Sequence, residues 1–406
     1  MMALALIAAR NLARNPRRTA LALVAVVIGV GIMVGIHGFM DGLANTLREE
    51  VIEGSTGAIV VHRAGYLRQI LGSPLSLDVP ADEAFLATIR AVPHVKAVAA
   101  RLTFGGMANA GDTTGFAMLL GLDPVAERKV CPRRETVLSA GAGLDAAHPD
   151  AVVLSEKLAR ALSLALGDRA ALLAADADGV LNGVDVKLAG TLGPAALPGA
   201  EQKLGFLSLS KAQELVRLPG RGTEIGVALD DMNALDATRD AIQAAVGPRY
   251  EVSTWHDIAG FVDEAIADQR AILGVVLTIF LVVALFGIAN TMLMNVLERT
   301  REIGTMMAVG VRRRQIVLLF LFEAAVLGLV GAVLGGALGM GADAWFHAHP
   351  LKFSSPTGGA LVVRPLVDLL YAARTALVGS IGAAIAALYP SWKASRMRPV
   401  EALAHV

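Results

Sequence analysis

Four stretches of the chain carry almost no charge, and the residues between them alternate on a quite different pattern. Thr19–Met40 holds no Asp, Glu, Lys or Arg over 22 residues, Ala271–Leu297 none over 27, and Thr375–Trp392 none over 18. Gln315–Ala342 has a single charge, Glu323, over 28 residues. At ~1.5 Å per residue, a helix of about 20 apolar residues crosses a bilayer core. The pattern predicts four transmembrane helices, the fourth being the shortest. Arg10, Arg14, Arg17 and Arg18 precede the first stretch, as in a signal peptide. Its apolar run exceeds the ~7–15 residues of such a segment, and no small-residue cleavage site follows, so it reads as an uncleaved anchor.

Ahead of the first span, Ala3–Arg14 reads as a short helix lying on the membrane surface. Asn15-Pro16 ends it and starts the next helix, with Asn15 as cap. Between the first and second spans, short apolar runs with period two alternate with helical patterns. Strands are expected at 58–62, 95–100, 116–122, 151–154, 170–174, 184–191, 206–209, 225–229 and 250–254. Helices are expected at 82–91, 155–164, 211–216 and 233–246. This reads as a split α/β subdomain, about 57–122 plus 205–254, with a β-rich insertion at about 123–200.

Composition sharpens the picture. Apolar residues make up 55% of the 406, charged residues only 18%, and 36 basic residues balance 36 acidic ones. That disfavours a disordered chain and a nucleic-acid binder. The balance hides a separation along the chain. Asp41–Gln269 has 20 basic and 30 acidic residues, a net of −10. Segments 1–18, 298–314 and 393–406 carry +4, +3 and +2. All three lie on one side of a four-span topology, which the positive-inside rule makes cytoplasmic. The layout is a cytoplasmic segment 1–18, spans 19–40, 270–297, 315–342 and 375–392, an external domain 41–269, a cytoplasmic loop 298–314, an external loop 343–374 and a cytoplasmic tail 393–406.

No catalytic constellation is present: there is no phosphate-cradling loop, no HExxH and no Cys/His cluster. Ser139–Gly143 lacks the context of a nucleophile elbow. His347 and His349, the one close histidine pair, read as a solvated loop, and no metal site is expected. The single cysteine, Cys131, excludes an intrachain disulfide and reads as inert. Gly31 and Gly35 in the first span, and Gly331, Gly335 and Gly339 in the third, recur every four residues. Such stripes let helices approach closely. For the third span packing within the subunit is expected; for the first, contact with a partner is an equal reading. Glu323 lies nine residues from Arg314, roughly 13 Å deep, and Asn290 lies at a similar depth on the second span. Helix glue is expected, through an Asn290–Glu323 hydrogen bond or a protonated Glu323, against a functional role for the intramembrane carboxylate.

Three stretches together resemble the permeases of the MacB/FtsX/lipoprotein-releasing type of ABC transporter. They are Ala9–Thr19, the loop Glu298–Ile316 with its Arg301-Glu302-Ile303-Gly304 run and Gly310, and the tail Pro390–Leu403. The resemblance implies a MacB-like periplasmic core domain inserted between helices 1 and 2 of a 1+3 membrane protein of the bacterial inner membrane. It implies a non-catalytic subunit that binds no cofactor, works by mechanotransmission, pairs with a second permease as homo- or heterodimer, and is driven by a separate ATPase dimer holding ATP and Mg. It also implies a coupling helix in the cytoplasmic loop, with Glu298, Arg301, Glu302, Met306, Gly310, Arg312 and Arg313 facing the ATPase. Gly57–His62 with Gly65-Tyr66, Gly121–Pro124 and Thr254-Trp255 are similar to the lipoprotein-releasing branch. A lipoprotein cargo and a periplasmic carrier are therefore the lead expectation. MacB-like efflux of a peptide or small molecule, and FtsX-like control of a cell-wall hydrolase, are the alternatives.

Overall fold

A computed structural model describes residues 16–72, 74–134, 138–193, 204–354 and 360–396. The expected surface helix at 3–14 and the end of the tail, 397–406, lie outside the described residues. The chain forms two units. One comprises 1–44, 265–351 and 363–406, and the other 45–264 and 352–362.

Helix α1 (Pro16–Val51) begins at a proline, whose missing N–H is not needed in a first turn. From Asn45 its residues belong to the second, mixed α/β unit. There it runs into a π-turn, Ile52–Thr56, closed by the Gly57 N–H on the Ile52 carbonyl at 2.9 Å. Gly57 takes φ +88°, and a Cβ there would meet the Val227 carbonyl at 3.0 Å.

The α/β unit then follows as β1 (Ile59–Arg63), β2 (Val79–Pro80), α2 (Glu83–Arg90), β3 (Val95–Ala110), β4 (Thr113–Leu122), α3 (Pro124–Val130), β5 (Leu138–Gly141), β6 (Ala151–Ser155), α4 (Glu156–Ala161), β7 (Arg169–Ala175), β8 (Leu181–Leu192), β9 (Leu204–Ser208), α5 (Leu209–Leu215), β10 (Arg221–Gly222), β11 (Glu224–Leu229), α6 (Leu235–Val246) and β12 (Tyr250–Thr254). Asp82, Asp123, Ser155 and Ser208 cap their helices through side-chain oxygens that accept backbone N–H groups. One ten-stranded sheet runs β12-β1-β11-β3-β4-β9-β6-β8-β5, with β7 paired to β3 and β8. β4–β9 and β6–β8 are parallel, from Met118 opposite Leu204 and from Ala151 opposite Lys187. Buried Leu102, Phe104, Leu119, Val152, Leu172 and Leu207 form its main core.

The expected seam at residue 122 is not a sheet boundary. β3 continues to Ala110 and pairs with β7 as well as β4, so the 123–200 segment is hydrogen-bonded into the same sheet. The strands cross beside Gly105-Gly106, where a Cβ on Gly106 would lie 2.8 Å from the Leu173 carbonyl.

Arg101 is fully buried in this unit. It donates from Nε and Nη2 to both Glu127 oxygens at 3.0 and 2.9 Å, and from Nη1 to the Thr56 carbonyl at 2.9 Å. Glu224 lies at 3.3 Å and the Cys131 Sγ at 3.1 Å. Arg134 donates to Glu127 at 2.9 Å and to the Ser55 carbonyl. Arg133 pairs with Glu49 and Glu53, and its own N–H reaches the Glu53 carbonyl at 3.0 Å. Burial alone would raise the Glu127 carboxyl; Arg101 and Arg134 reverse this and hold it below the usual carboxylate range.

The helical unit contains most of α1, then α7 (Trp255–Glu298, broken at Ala259), α8 (Thr300–Ala308), α9 (Arg313–Ala348), α10 (Leu369–Ala386) and α11 (Leu388–Ser395). A hairpin, β13 (Leu351–Ser354) and β14 (Ala360–Val363), lies between α9 and α10. Among the described residues, four helical segments are long and apolar enough to cross a membrane: Thr19–Thr56, Trp255–Glu298, Arg313–Ala348 and Leu369–Ser395. The fourth starts earlier than its charge-free run, because Asp368 caps it on the Tyr371 N–H.

The glycine stripe of α9 packs on α1. A Cβ on Gly335 would sit 2.6 Å from the Val27 carbonyl, one on Gly339 2.7 Å from the Gly31 carbonyl, and one on Gly331 2.8 Å from Val26. Gly31 belongs to the same contact, 3.3 Å from the Gly335 carbonyl, whereas Gly35 has nothing within 4 Å. Gly335→Val is therefore expected to push α1 and α9 apart and cost about 1–3 kcal/mol or more, as overpacking does. Gly35→Val should cost much less. Thermal unfolding of the purified chain checks both; equal loss in the two variants would contradict this packing.

Candidate functional site

The loop motif at 298–316 forms a compact device at one end of the helical unit. After α7 the chain leaves helical geometry at Arg299 (φ −101°, ψ 18°), and α8 follows for nine residues. Its end is a Schellman motif: the Val311 N–H bonds the Met306 carbonyl at 3.0 Å and the Gly310 N–H the Met307 carbonyl at 3.1 Å. Gly310 takes φ +100°, a conformation that strains any other residue. Arg312 then opens α9, with the Gln315 side chain accepting the Arg312 N–H at 2.9 Å.

One face of α8 packs on its own chain. Ile303 is buried with Val296, Ile316, Phe320 and Ala394, and Met306, Met307 and Val311 pack against this cluster. Gly304 is buried beside them. The other face is open: Arg301, Thr305 and Ala308 are exposed, and Val309 is 82% exposed. Glu298, Arg312 and Arg313 flank it, all exposed.

The intramembrane carboxylate belongs to this device. Arg299 Nη1 lies 3.6 Å from Glu323 Oε2, and its Nε donates to Glu302 at 3.0 Å. The Asn290–Glu323 pairing is thus corrected: Asn290 is exposed, and Asn295 is the buried amide on α7. Depth along two helices had matched Asn290 to Glu323, but rotation about α7 turns Asn290 outward. Arg299, just past the helix end, folds back to the carboxylate. Met306 faces inward more than expected, and Val309 takes the exposed apolar place. Of the other expected residues, Glu298, Arg301, Arg312 and Arg313 are exposed, and Gly310 ends the helix.

Two family profiles match the chain. The MacB-like periplasmic core domain covers 19–245, and the FtsX-like permease C-terminal profile covers 274–399, taking in α8 and everything packed around it. The chain belongs to the MacB/FtsX family of ABC transporter permeases. The permease is 27% identical over 410 residues to the macrolide export ATP-binding/permease protein MacB of Brucella abortus, covering 96% of this chain and 58% of that protein. It is 30% identical over 236 residues to the MacB of Bdellovibrio bacteriovorus, covering 55% of this chain and 35% of that protein. The chain thus spans about a third to three fifths of the length of these relatives. The periplasmic region of MacB from Actinobacillus actinomycetemcomitans aligns in structure with a TM-score of 0.38 at 13% identity, over 54% of this chain and 98% of that one.

The motifs that resemble the lipoprotein-releasing branch serve the fold. Gly57 makes room for β11, Tyr66 stacks on buried His62 with centroids 5.0 Å apart, Asp123 caps α3, and Thr254 donates to Asp257 at the start of α7. These roles are structural and do not discriminate a cargo.

Proposed function

We propose that this permease is the membrane part of an ATP-driven machine that moves its periplasmic domain by mechanotransmission. The observation that carries the reading is α8: a short helix with a fixed end, held to α9 through Arg299 and Glu323, and open on the side bearing Arg301, Thr305 and Val309. A push on that face has nowhere to dissipate before it reaches the membrane helices. The ATPase, with its ATP and Mg, would bind there, and two permeases would work as a pair. The basic flanks support a cytoplasmic position for α8 and for both ends of the chain. The relatives named for macrolide export support export of a small molecule or peptide as the first reading; release of a lipoprotein to a carrier is the second.

The test is co-expression with candidate ATPases. The expected result is a stable complex whose ATP hydrolysis changes on adding the permease. A chain that forms no complex with any ATPase, yet is folded, would sink the reading. Placement of the domain is checked with a cysteine at position 178 in a Cys131→Ser background. An impermeant reagent should label it in spheroplasts, and protection there would invert the topology.

A further inference from the structure

We propose that His37, Asp41 and Asp368 form a binding site for a divalent first-row transition ion, with zinc as the type. His37 and Asp41 lie one turn apart on α1, and Asp368 stands at the start of α10. His37 Nε2 is 3.4 Å from Asp41 Oδ2 and 3.8 Å from Asp368 Oδ2, and the three ligand atoms all fall within 4.8 Å of one another. Metal–nitrogen and metal–oxygen bonds of about 2.0–2.2 Å put the ligands of a tetrahedral ion roughly 3.3–3.6 Å apart. Two edges of the site are therefore nearly at bonding geometry, and small side-chain rotations close the third.

Each carboxylate presents one oxygen to the site and has the other occupied elsewhere. Asp41 Oδ1 accepts from Arg270 at 2.6 Å, and Asp368 Oδ1 accepts the Tyr371 N–H at 2.9 Å. Outer hydrogen bonds of this kind orient ligating carboxylates. The His37 ring is stacked on Tyr371 with centroids 3.5 Å apart and planes 12° apart, which limits its rotation. All three side chains are part-exposed, leaving the fourth position to water. A nitrogen ligand beside two carboxylates favours zinc-like ions over Mg and Ca, which prefer all-oxygen shells. A bound ion would cross-link α1 to α10 at the end of α1 that leads into the α/β unit. The competing state is the same cluster of three side chains with no ion.

The full-length permease in nanodiscs would be titrated with zinc by calorimetry and with cobalt by visible absorption. One saturable ion per chain is expected, with the absorption of a four-coordinate cobalt site. His37→Phe keeps the ring stack but removes the nitrogen. Asp368→Asn keeps the helix cap but removes the anionic ligand. Each should weaken binding at least about tenfold, while metal-free thermal unfolding confirms that the variants are folded. Asp41→Asn replaces either one that is not. Absence of saturable binding, or wild-type affinity in the variants, means an ion-pair cluster only and overturns the proposal.

Discussion

Replacing Val309 by Asp is expected to uncouple the permease from its ATPase while leaving the chain folded. Val309 is 82% exposed and stands next to the glycine that ends α8. In an interface it would be an apolar knob, and a carboxylate there would be buried without a partner. Loss of such a contact costs about 2 kcal/mol or more, roughly 30-fold in affinity. Met306→Asp should behave differently. Met306 packs against the cluster around Ile303, so the charge would loosen α8 from its own chain and lower the thermal stability of the permease itself. Binding to the ATPase and stimulation of hydrolysis, measured beside melting curves, separate the two. Unchanged ATPase binding in Val309→Asp would show that the open face of α8 is not the contact.

Arg101→Leu is expected to destabilise the α/β unit by about 3–5 kcal/mol, because it leaves Glu127 buried with half its partners gone. Chemical denaturation followed by circular dichroism measures it. The same network sets an acid limit. The Glu127 carboxyl is depressed in the folded state. Its contribution is therefore complete above the ordinary carboxylate value of about 4.3 in the unfolded chain and disappears as the pH falls through the lower folded value. Stability should drop on acidification in that window, with no matching change between pH 6 and 8. A flat response down to pH 3 would mean that Glu127 is not the ionised partner of Arg101.

The spans, the 298–316 motif and most strands of the α/β unit are legible because each is written in consecutive residues. Apolar length reports a membrane helix, and alternation reports a half-buried strand, without reference to the rest of the chain. What the sequence hid depends on rotation and on distant partners. Asn290 and Glu323 agree in depth, but only the helical phase shows Asn290 facing outward and Arg299 turning in. β3 runs on from the alternating stretch 95–100 to Ala110, where β7 pairs with it. Arg101 meets Glu127 and Glu224 at separations of 26 and 123 residues. His37 and Asp368 stand even farther apart in sequence, and no spacing rule could have joined them.

The π-turn after α1 has a mechanical consequence. Helices usually enter a domain through a linker that bends easily. Here the entry is gripped through main-chain atoms: Arg101 on Thr56, Arg134 on Ser55, the Cys131 thiol on Ile52 and the Arg133 amide on Glu53. Side-chain swaps within 52–56 leave those carbonyls in place, so the grip tolerates drift in the very residues it holds. A joint of this kind behaves as a weld rather than a hinge. Within the α/β unit, a displacement of the last turns of α1 would reach β1, β3 and β11 with little loss at this joint.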